Sequence, residues 1–408
     1  MSEVLSPRLS NRVWIMILAG ATIVTLSMGV RQSFGLFLQP LGLELGVDRQ
    51  TFGLIVAGQN LLFGIAQPFV GAWADRHGAG RVALVGAAIY AVGLLVAATA
   101  ANATGLAIGF GALVGLAMAG CTFTVILGAV GKIVPAEKRT LAFGIVTAGG
   151  SLGQFLVVPA AQGFLDALDW RLTLLVMAGL IAIIAPLALG VAGKPPASIG
   201  QQDGPPIREA LREAFADRSF WLLNAGFLVC GFHIAFVGTH LPSYNRDQGL
   251  PAEVGAWSLA LIGLFNIAGS WLWGAWGSTR SKKGLLALLY VLRSVAIGVF
   301  LIFPLSPASV LMFAATFGFL WLGTVPLTNG LVAQIYGLRH LSALGGIVFL
   351  SHQVGAFLGA WTAGVAFDAT GSYDLIWFVS IGLGLLAAAA NLPIREAPLV
   401  RPETVPAR

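Results

Sequence analysis

Several basic side chains of this sequence lie inside long apolar stretches, where a charged group is costly unless it has a partner or a function. An arginine in such a place can bind a carboxylate through two parallel N–H donors. A histidine there can bind an anion as imidazolium or move a proton, because imidazole titrates near neutral pH. The basic residues in apolar stretches are Arg31, His233, His240, Arg293 and His352. Their types and positions predict a binding site for an anion.

No acidic residue accompanies these basic groups. All 17 Asp and Glu residues fall in polar connections, in the chain ends or at the ends of apolar stretches. Charges attract strongly at low dielectric, so fixed positive charge without fixed negative charge favours an anionic substrate over a cationic one.

Arg31 is the first choice for contact with the anion. It lies about seven residues from the end of its apolar stretch, hence roughly 10 Å deep at 1.5 Å per residue. The alternative is that its side chain extends back to the lipid headgroups. Arg293 lies nearer the middle of its stretch and can instead bind carbonyls of a neighbouring helix. A structural hydrogen bond is likewise the alternative for each histidine.

Neutral polar residues in the apolar stretches can complete the site. Each of them can alternatively form an interhelical hydrogen bond, which stabilises a membrane protein by about 0.6 kcal/mol. The predicted substrate-binding set is Arg31, Asn60, Thr124, His233, Asn266, Arg293, Asn329 and His352.

Membrane-spanning helices must position these residues. The 408-residue chain is 57% hydrophobic and 10% charged, whereas a soluble domain carries about 25% charged residues. Lipid cannot satisfy backbone polar groups, so apolar stretches of this length must be helices. Cys121 and Cys230 both fall in such stretches, which predicts two free thiols. We predict an all-α membrane protein with twelve spans near 13–38, 51–74, 82–101, 104–131, 140–165, 171–192, 219–245, 253–277, 284–304, 308–335, 342–367 and 373–393.

One long connection separates two groups of six spans. The predicted units are an N-terminal bundle (1–192), a linker (193–218), a C-terminal bundle (219–394) and a tail (395–408). The linker begins with Pro-rich and Gly-rich sequence, which is typical of a connection without regular structure. Its second half places Ile207, Leu211, Ala214 and Phe215 on one helical face, which predicts an amphipathic helix at the membrane surface.

The distribution of Lys and Arg predicts the topology. With a cytoplasmic N-terminus, 18 of the 23 Lys and Arg residues fall in cytoplasmic segments, three in outer loops and two within spans. Cytoplasmic loops of membrane proteins carry the excess of basic residues. Both termini are therefore expected in the cytoplasm and the protein in the inner membrane. The net charge of +6 is scattered over short loops and gives no indication of nucleic-acid binding.

The two groups of spans repeat in sequence. At an offset of 202 residues, Gly153 falls on Gly355 and Arg31 falls on His233. Near Gly71 the offset becomes 203. A nearly constant offset predicts a duplicated six-helix unit, with two bundles related by a pseudo-twofold axis along the membrane normal.

A charged motif between the second and third spans carries a family resemblance. Residues Gly71, Asp75, Arg76, Gly78 and Arg81 follow the pattern G-x-x-x-D-R-x-G-x-x-R, which resembles the loop between helices 2 and 3 of the major facilitator superfamily. The resemblance implies the major facilitator fold, with this loop as a latch that holds one of two alternating states. The repeat copy of the loop lacks the Asp, so we expect the stronger charged latch in the first half.

Within that superfamily the chain resembles the bacterial monocarboxylate and oxalate:formate branch. The segment 29–35 in the first span and the glycine-rich segment 144–159 in the fifth carry this resemblance. The chain departs from the branch in two places: its eighth span has no arginine, and His352 stands where the oxalate exchangers have a lysine. The substrate residues of the branch therefore do not carry over.

These features predict a secondary transporter of a small organic anion, foremost a monocarboxylate, that works by alternating access. Proton symport and anion exchange both remain open. The first alternative is a facilitator that exports an amphiphilic, drug-like compound, and an alternative of another class is a transporter-like membrane sensor. An enzyme is not expected, because the five histidines are dispersed and lack metal-ligand spacing. We expect a monomer in the lipid bilayer without cofactor or metal, with the anion and protons as its partners.

Overall fold

Twelve apolar helical spans form the body of the protein, in a computed structural model that describes residues 10–47, 49–192 and 205–399. Each predicted span lies within four residues of an observed one at both ends, which confirms the twelve-helix prediction. We number them span 1 to span 12: Asn11–Phe37, Thr51–His77, Ala79–Ala98, Ala103–Ile133, Ala136–Ala167, Trp170–Val191, Arg218–Pro242, Glu253–Thr279, Lys282–Ile302, Pro307–Tyr336, Leu341–Phe367 and Asp374–Asn391.

Several spans are broken or extended helices. Span 1 ends in a tight 3₁₀ turn at Phe34–Phe37. Span 4 comprises Ala103–Leu106, the wider turn Ala107–Leu113, Val114–Cys121 and Phe123–Ile133. Spans 6 and 10 comprise Trp170–Ala182 with Ile184–Val191, and Pro307–Phe319 with Thr324–Tyr336. The helices of spans 2, 7, 8 and 11 extend over Arg49–His77, Arg218–Asp247, Ala252–Thr279 and Leu341–Thr370. A further short helix, Leu38–Leu45, follows span 1.

Matching glycines hold one helix pair together in each group of six spans. In the first bundle, spans 1–6, a Cβ added to Gly153 would stand 2.1 Å from a carbonyl oxygen of span 1. In the second bundle, spans 7–12, a Cβ added to Gly355 would stand 1.9 Å from a carbonyl oxygen of span 7. Only glycine permits such an approach. Because Gly153 and Gly355 are repeat partners, this shared packing follows the predicted pseudo-twofold relation.

The two bundles meet where span 2 packs on span 11 and where span 5 packs on span 8. We call the face at which span 1 begins and span 12 ends the terminal face, and the other the opposite face. Near the terminal face, Gly71 packs on the Ser342 carbonyl and Gly144 packs on Gly274. Nearer the opposite face, an added Cβ would meet open space at Gly53 and Gly364. Each lies about five helical turns from a glycine that packs on the other bundle, Gly71 or Gly346, and therefore on the same helix face. The central cleft is therefore closed at the terminal face and open at the opposite face.

A linker helix, Ile207–Ala216, lies at the terminal face and packs on span 7 of the second bundle. Its buried edge carries the small residues Ala210 and Ala214, while Ile207 and Phe215 lie exposed beside it. The rest of the predicted linker, 193–204, and the tail beyond residue 399 lie outside the described residues.

Candidate functional site

Arg31 lies in span 1 and reaches toward span 2 at the level where the bundles meet. Its side chain is half-buried, and its Nη2 donates to the side-chain oxygen of Asn60. Within the described parts of the chain this is the only hydrogen bond of the guanidinium, and no carboxylate pairs with it. A guanidinium has five N–H donors in a fixed fork. Most of the donors of Arg31 are therefore available to a ligand.

Hydrogen bonds connect Arg31 to the second bundle. The main-chain oxygen of Asn60 accepts from Nε2 of Gln353 at 3.2 Å. The Gln353 side-chain oxygen accepts from Nδ1 of His352, also at 3.2 Å. Gln353 lies twelve residues from the start of its helix, hence roughly 18 Å from the terminal face at 1.5 Å per residue. The structure thus connects Arg31 to His352 across the contact between the bundles, through Asn60 and Gln353.

Aromatic rings close the cleft on the terminal side of these hydrogen bonds. Phe63 of span 2 meets Phe349 of span 11 edge-on, with ring centroids 5.0 Å apart. The His352 ring stacks on Phe349 at 5.5 Å and lies 4.9 Å from Phe227. Apolar rings exclude water and lower the local dielectric, which strengthens the attraction between Arg31 and an anion.

The contact between spans 5 and 8 contains a matching polar bridge. Asn266 Nδ2 donates to Ser151 Oγ at 2.6 Å. Ser151 and Gln353 are repeat partners at the offset of 202, so each bundle contact has a hydrogen bond at the same place. The Asn266 side-chain oxygen accepts from Ser270 at 3.1 Å and from the Leu322 amide at 2.9 Å. Both polar atoms of Asn266 are therefore engaged within the protein.

Arg293 binds the broken helix of span 10. It is fully buried, and its Nε and Nη2 donate to the Leu320 carbonyl at 3.0 and 2.7 Å. Nη2 also donates to the Trp321 carbonyl. Carbonyls at the end of a helix lack partners within it, and the helix dipole favours a cation there. Together with the Asn266 contact to Leu322, Arg293 satisfies the backbone on both sides of the break. The alternative to substrate contact for this arginine, binding to the carbonyls of a neighbouring helix, is therefore the arrangement observed.

The remaining predicted residues make other contacts. His233 is fully buried, and its Nε2 lies 2.8 Å from a carbonyl oxygen of span 12. His240 lies nearer the opposite face, and its Nε2 is 2.9 Å from a carbonyl oxygen of span 11. Thr124 and Asn329 both lie beside Gly345, closer to the terminal face than His352. None of these four residues contacts Arg31 among the hydrogen bonds of the described residues.

Asp75 of the predicted latch contacts the second bundle at the terminal face. Its carboxylate is 3% exposed and pairs with Lys132 Nζ at 2.7 Å. The same carboxylate accepts from the main-chain amides of Ser342 and Ala343 at 3.3 and 2.9 Å. Amides in the first turn of a helix have no partner within it, and the helix dipole favours an anion there. A first-bundle carboxylate thus caps span 11 of the second bundle.

The other motif residues have different roles. A Cβ on Gly71 would stand 2.3 Å from the Ser342 carbonyl oxygen, so this contact requires glycine. Gly78 has φ +93°, a left-handed conformation that also favours glycine. Arg76 and Arg81 are exposed and form no hydrogen bond or ion pair with another described residue. The charge partner of Asp75 is therefore Lys132 and not one of the motif arginines.

A neutral contact between the bundles occupies the repeat-related position. Ser278 Oγ of span 8 accepts from the main-chain amide of Leu141 in span 5 at 2.8 Å. An offset of 203 takes Asp75 to Ser278, and an offset of 202 takes Leu141 to Ala343. The two contacts share a backbone arrangement, and only the first is charged.

Sequence reasoning missed four residues of these contacts: Lys132, Ser151, Ser278 and Gln353. The repeat was the signal that could have found three of them, because it pairs Ser151 with Gln353 in the spans that line the cleft. It also pairs Ser278 with Asp75.

Comparison with known proteins agrees with this architecture. The chain is 26% identical over 406 residues to the uncharacterized MFS-type transporter YcxA of Bacillus subtilis (strain 168), with 95% of each chain covered. It is 25% identical to monocarboxylate transporter 13 of Bos taurus, over 96% of this chain and 92% of the relative.

Solved structures share the fold. The E. coli fucose:proton symporter FucP matches with a TM-score of 0.72 at 16% identity, over 93% of this chain and 99% of the symporter. The human organic anion transporter MFSD10 (TETRAN) also matches with a TM-score of 0.72, at 14% identity, over 93% and 99% of the two chains. The sequence model described as Major Facilitator Superfamily covers residues 17–360. The chain belongs to the Major Facilitator Superfamily of membrane transporters.

Proposed function

We propose that the protein is a secondary transporter of a small organic anion, with a monocarboxylate as its substrate. Arg31 carries the proposal. Its guanidinium has available donors within an apolar span, where the two bundles meet, and no described carboxylate neutralises it. A carboxylate would bind this fork through two N–H donors, and the aromatic rings around Phe349 would limit competition from water.

The proposed substrate class is the one for which two relatives are named. Two mammalian proteins named monocarboxylate transporter 13, from Bos taurus and Rattus norvegicus, are 25% and 27% identical to this chain over most of its length. One arginine with exposed donors also favours one carboxylate over two, because Arg293 is fully buried and its Nε and Nη2 are bound to helix carbonyls.

Alternating access follows from the two bundle contacts. The anion enters from the opposite face and binds Arg31, and the bundles then rock about the bound substrate. This motion must separate Asp75 from span 11 and Ser278 from span 5, which opens the cleft at the terminal face. We propose the proton as the coupling ion and His352 as its acceptor, because His352 is joined to Arg31 through Gln353 and Asn60.

The proposed location is the inner membrane, with the terminal face in the cytoplasm and the protein as a monomer. The excess of Lys and Arg in the segments on the terminal side supports this orientation. The cleft of the present structure would then be open to the outside.

Thermal unfolding of the purified protein in detergent tests the proposal directly. The ligand panel would contain monocarboxylates, dicarboxylates, nitrate, amino acids, sugars and cationic drugs. A ligand that binds only the folded state stabilises it by about 2.7 kcal/mol at 100 times its Kd. We expect monocarboxylates to raise the unfolding midpoint. Stabilisation by neutral or cationic compounds alone would show that the basic residues are structural.

Uptake into proteoliposomes then tests the coupling. We expect an imposed pH gradient, acidic on the side from which the anion enters, to drive accumulation of the stabilising monocarboxylate. Accumulation that requires a second anion inside the vesicles, and not a pH gradient, would identify exchange instead.

A further inference from the structure

An aromatic pair is exposed where the linker helix joins span 7. The rings of Phe215 and Trp221 stack with centroids 5.6 Å apart and are 44% and 55% exposed. Trp221 Nε1 donates to the Phe215 carbonyl at 2.9 Å. Trp221 lies three residues after Arg218, where span 7 begins. The pair therefore stands at the level of the lipid headgroups, where tryptophan is enriched in membrane proteins.

Arginines follow the aromatic pair around the linker helix. At about 100° per residue, Arg208 and Arg212 are the next residues to one side of Phe215 around the helix circumference, and both are exposed. Glu209 and Glu213 lie further round, away from Phe215. Apolar rings and positive charge thus occupy one side of the helix and the acidic residues another. We call Arg208, Arg212, Phe215 and Trp221 the arginine–tryptophan edge.

The arginine–tryptophan edge is fixed to the second bundle. The buried ring of Phe220 lies 5.9 Å from Phe215 and 5.5 Å from Tyr336 of span 10. The Tyr336 hydroxyl donates to the Asp217 carboxylate at 2.7 Å. These contacts hold the linker helix in a defined position relative to span 7, so a molecule bound along the edge would meet a preformed surface.

We propose that the arginine–tryptophan edge binds an anionic phospholipid of the surrounding bilayer. The two guanidinium groups contact the phosphate of the headgroup, and the acyl chains lie along Phe215 and Trp221. The order of the residues matches the lipid, because the positive charge lies on the linker helix and the rings lead into the apolar span. Positive residues near a membrane surface attract anionic lipid, and aromatic residues bury into the interface. The bound lipid anchors the linker helix to the membrane beside the second bundle.

Lipid titration of the full-length protein tests this site without any transport substrate. Native mass spectrometry of detergent-solubilised protein would give the Kd of dioleoyl phosphatidylglycerol, with dioleoyl phosphatidylcholine as the neutral comparison. Each arginine near a membrane surface changes the affinity for anionic lipid about fivefold, so we expect Arg208→Gln/Arg212→Gln to weaken phosphatidylglycerol binding about 30-fold. Binding of phosphatidylcholine should change less than threefold, a bound set on the same electrostatic argument.

A matched double variant controls for net charge. Arg246→Gln/Arg280→Gln removes two exposed arginines outside the edge and should leave phosphatidylglycerol binding unchanged. Equal loss in both double variants would mean that only total charge matters, and would overturn the site. Wild-type affinity in Arg208→Gln/Arg212→Gln would overturn it as well. Competition by free glycerol phosphate at the same concentration as the lipid would show that the edge binds a soluble phosphate, contrary to the proposal.

Discussion

The two halves of the chain share a framework and differ in where they place charge. At the terminal face of the first half, Asp75 is paired with Lys132 and caps the first turn of span 11. At the repeat-related place in the second half, a neutral serine, Ser278, accepts one amide of span 5. That amide, of Leu141, lies inside a helix that begins at Ala136, whereas Ala343 lies in the first turn of its helix.

The halves also differ in the basic residue within their first spans, span 1 and span 7. Arg31 of the first half is half-buried and has donors available beside the cleft. Its repeat partner, His233, is fully buried and bonded to a carbonyl of span 12. The close glycine contacts, in contrast, are the same in both halves. Shared residues therefore build the bundles, and the residues that break the repeat are the ones to which we assign function.

The largest expected difference between the halves is in the loss of monocarboxylate affinity when Arg31 or its repeat partner, His233, is substituted. Arg31→Gln should weaken binding of a monocarboxylate by about 3 kcal/mol, on the order of 100-fold in Kd, because the charged fork is lost. The unfolding midpoint without ligand should stay close to the wild-type value, since Arg31 forms one hydrogen bond with the described residues. Isothermal titration or the ligand-induced thermal shift measures the change.

His233→Gln is the matched variant for Arg31. Glutamine can keep a donor to the carbonyl of span 12, so monocarboxylate affinity should stay within about fivefold of wild type, the factor that corresponds to one ordinary hydrogen bond of about 1 kcal/mol. If the two variants lose affinity equally, the halves contribute equally to the site, and the contrast between Arg31 and His233 is wrong.

Substitution of Arg293 should lower the stability of the protein, whereas substitution of Arg31 should weaken binding of the anion. Arg293→Met leaves the carbonyls of Leu320 and Trp321 buried without donors, at a cost of about 1–3 kcal/mol for each unsatisfied group. We expect the free energy of unfolding to fall by about 3 kcal/mol, measured by thermal or denaturant unfolding in detergent. Arg293→Lys, which keeps one charged donor, should be intermediate. Unchanged stability together with lost anion binding would place Arg293 in the substrate site.

Much of this architecture could be predicted from the sequence, because lipid cannot satisfy backbone polar groups and long apolar segments must therefore be helices. Apolar length determined the twelve spans, and the repeat with its glycines indicated two related bundles. The fate of each polar side chain was harder to predict. Arg31 and Arg293 both lie within spans, and only the break in span 10 shows why the second binds carbonyls. Gln353 was missed because the sequence around an uncharged residue near a span centre does not indicate which helix its side chain will contact.

The charged latch should matter more than the neutral one. Asp75→Asn removes the ion pair with Lys132 and weakens the cap on span 11, which should shift the equilibrium toward opening at the terminal face by about 1–2 kcal/mol, roughly 5- to 30-fold. Ser278→Ala removes one neutral hydrogen bond and should shift it by about 0.5–1 kcal/mol. Maleimide labelling of Thr140→Cys, at a buried bundle contact, and of Gly53→Cys, on the cleft face of span 2 near the opposite face, reports both states. Both native cysteines are buried, so they should label slowly. Equal labelling rates in wild type and Asp75→Asn would refute the latch.

A variant with an acidic residue in the second half distinguishes the effect of negative charge from the effect of its position at a helix start. Ser278→Asp places a carboxylate at the repeat-related site, but the amide it would meet belongs to Leu141, six residues into its helix. The dipole effect falls off after the first turn, so the added charge should change closure by about 0.5 kcal/mol or less, roughly twofold. The Thr140→Cys labelling rate measures this change. If Ser278→Asp instead closed the terminal face as strongly as Asp75→Asn opens it, negative charge alone would set the latch. The small change that we expect would show that Asp75 acts through the first turn of span 11, and that the two halves differ in helix start as well as in sequence.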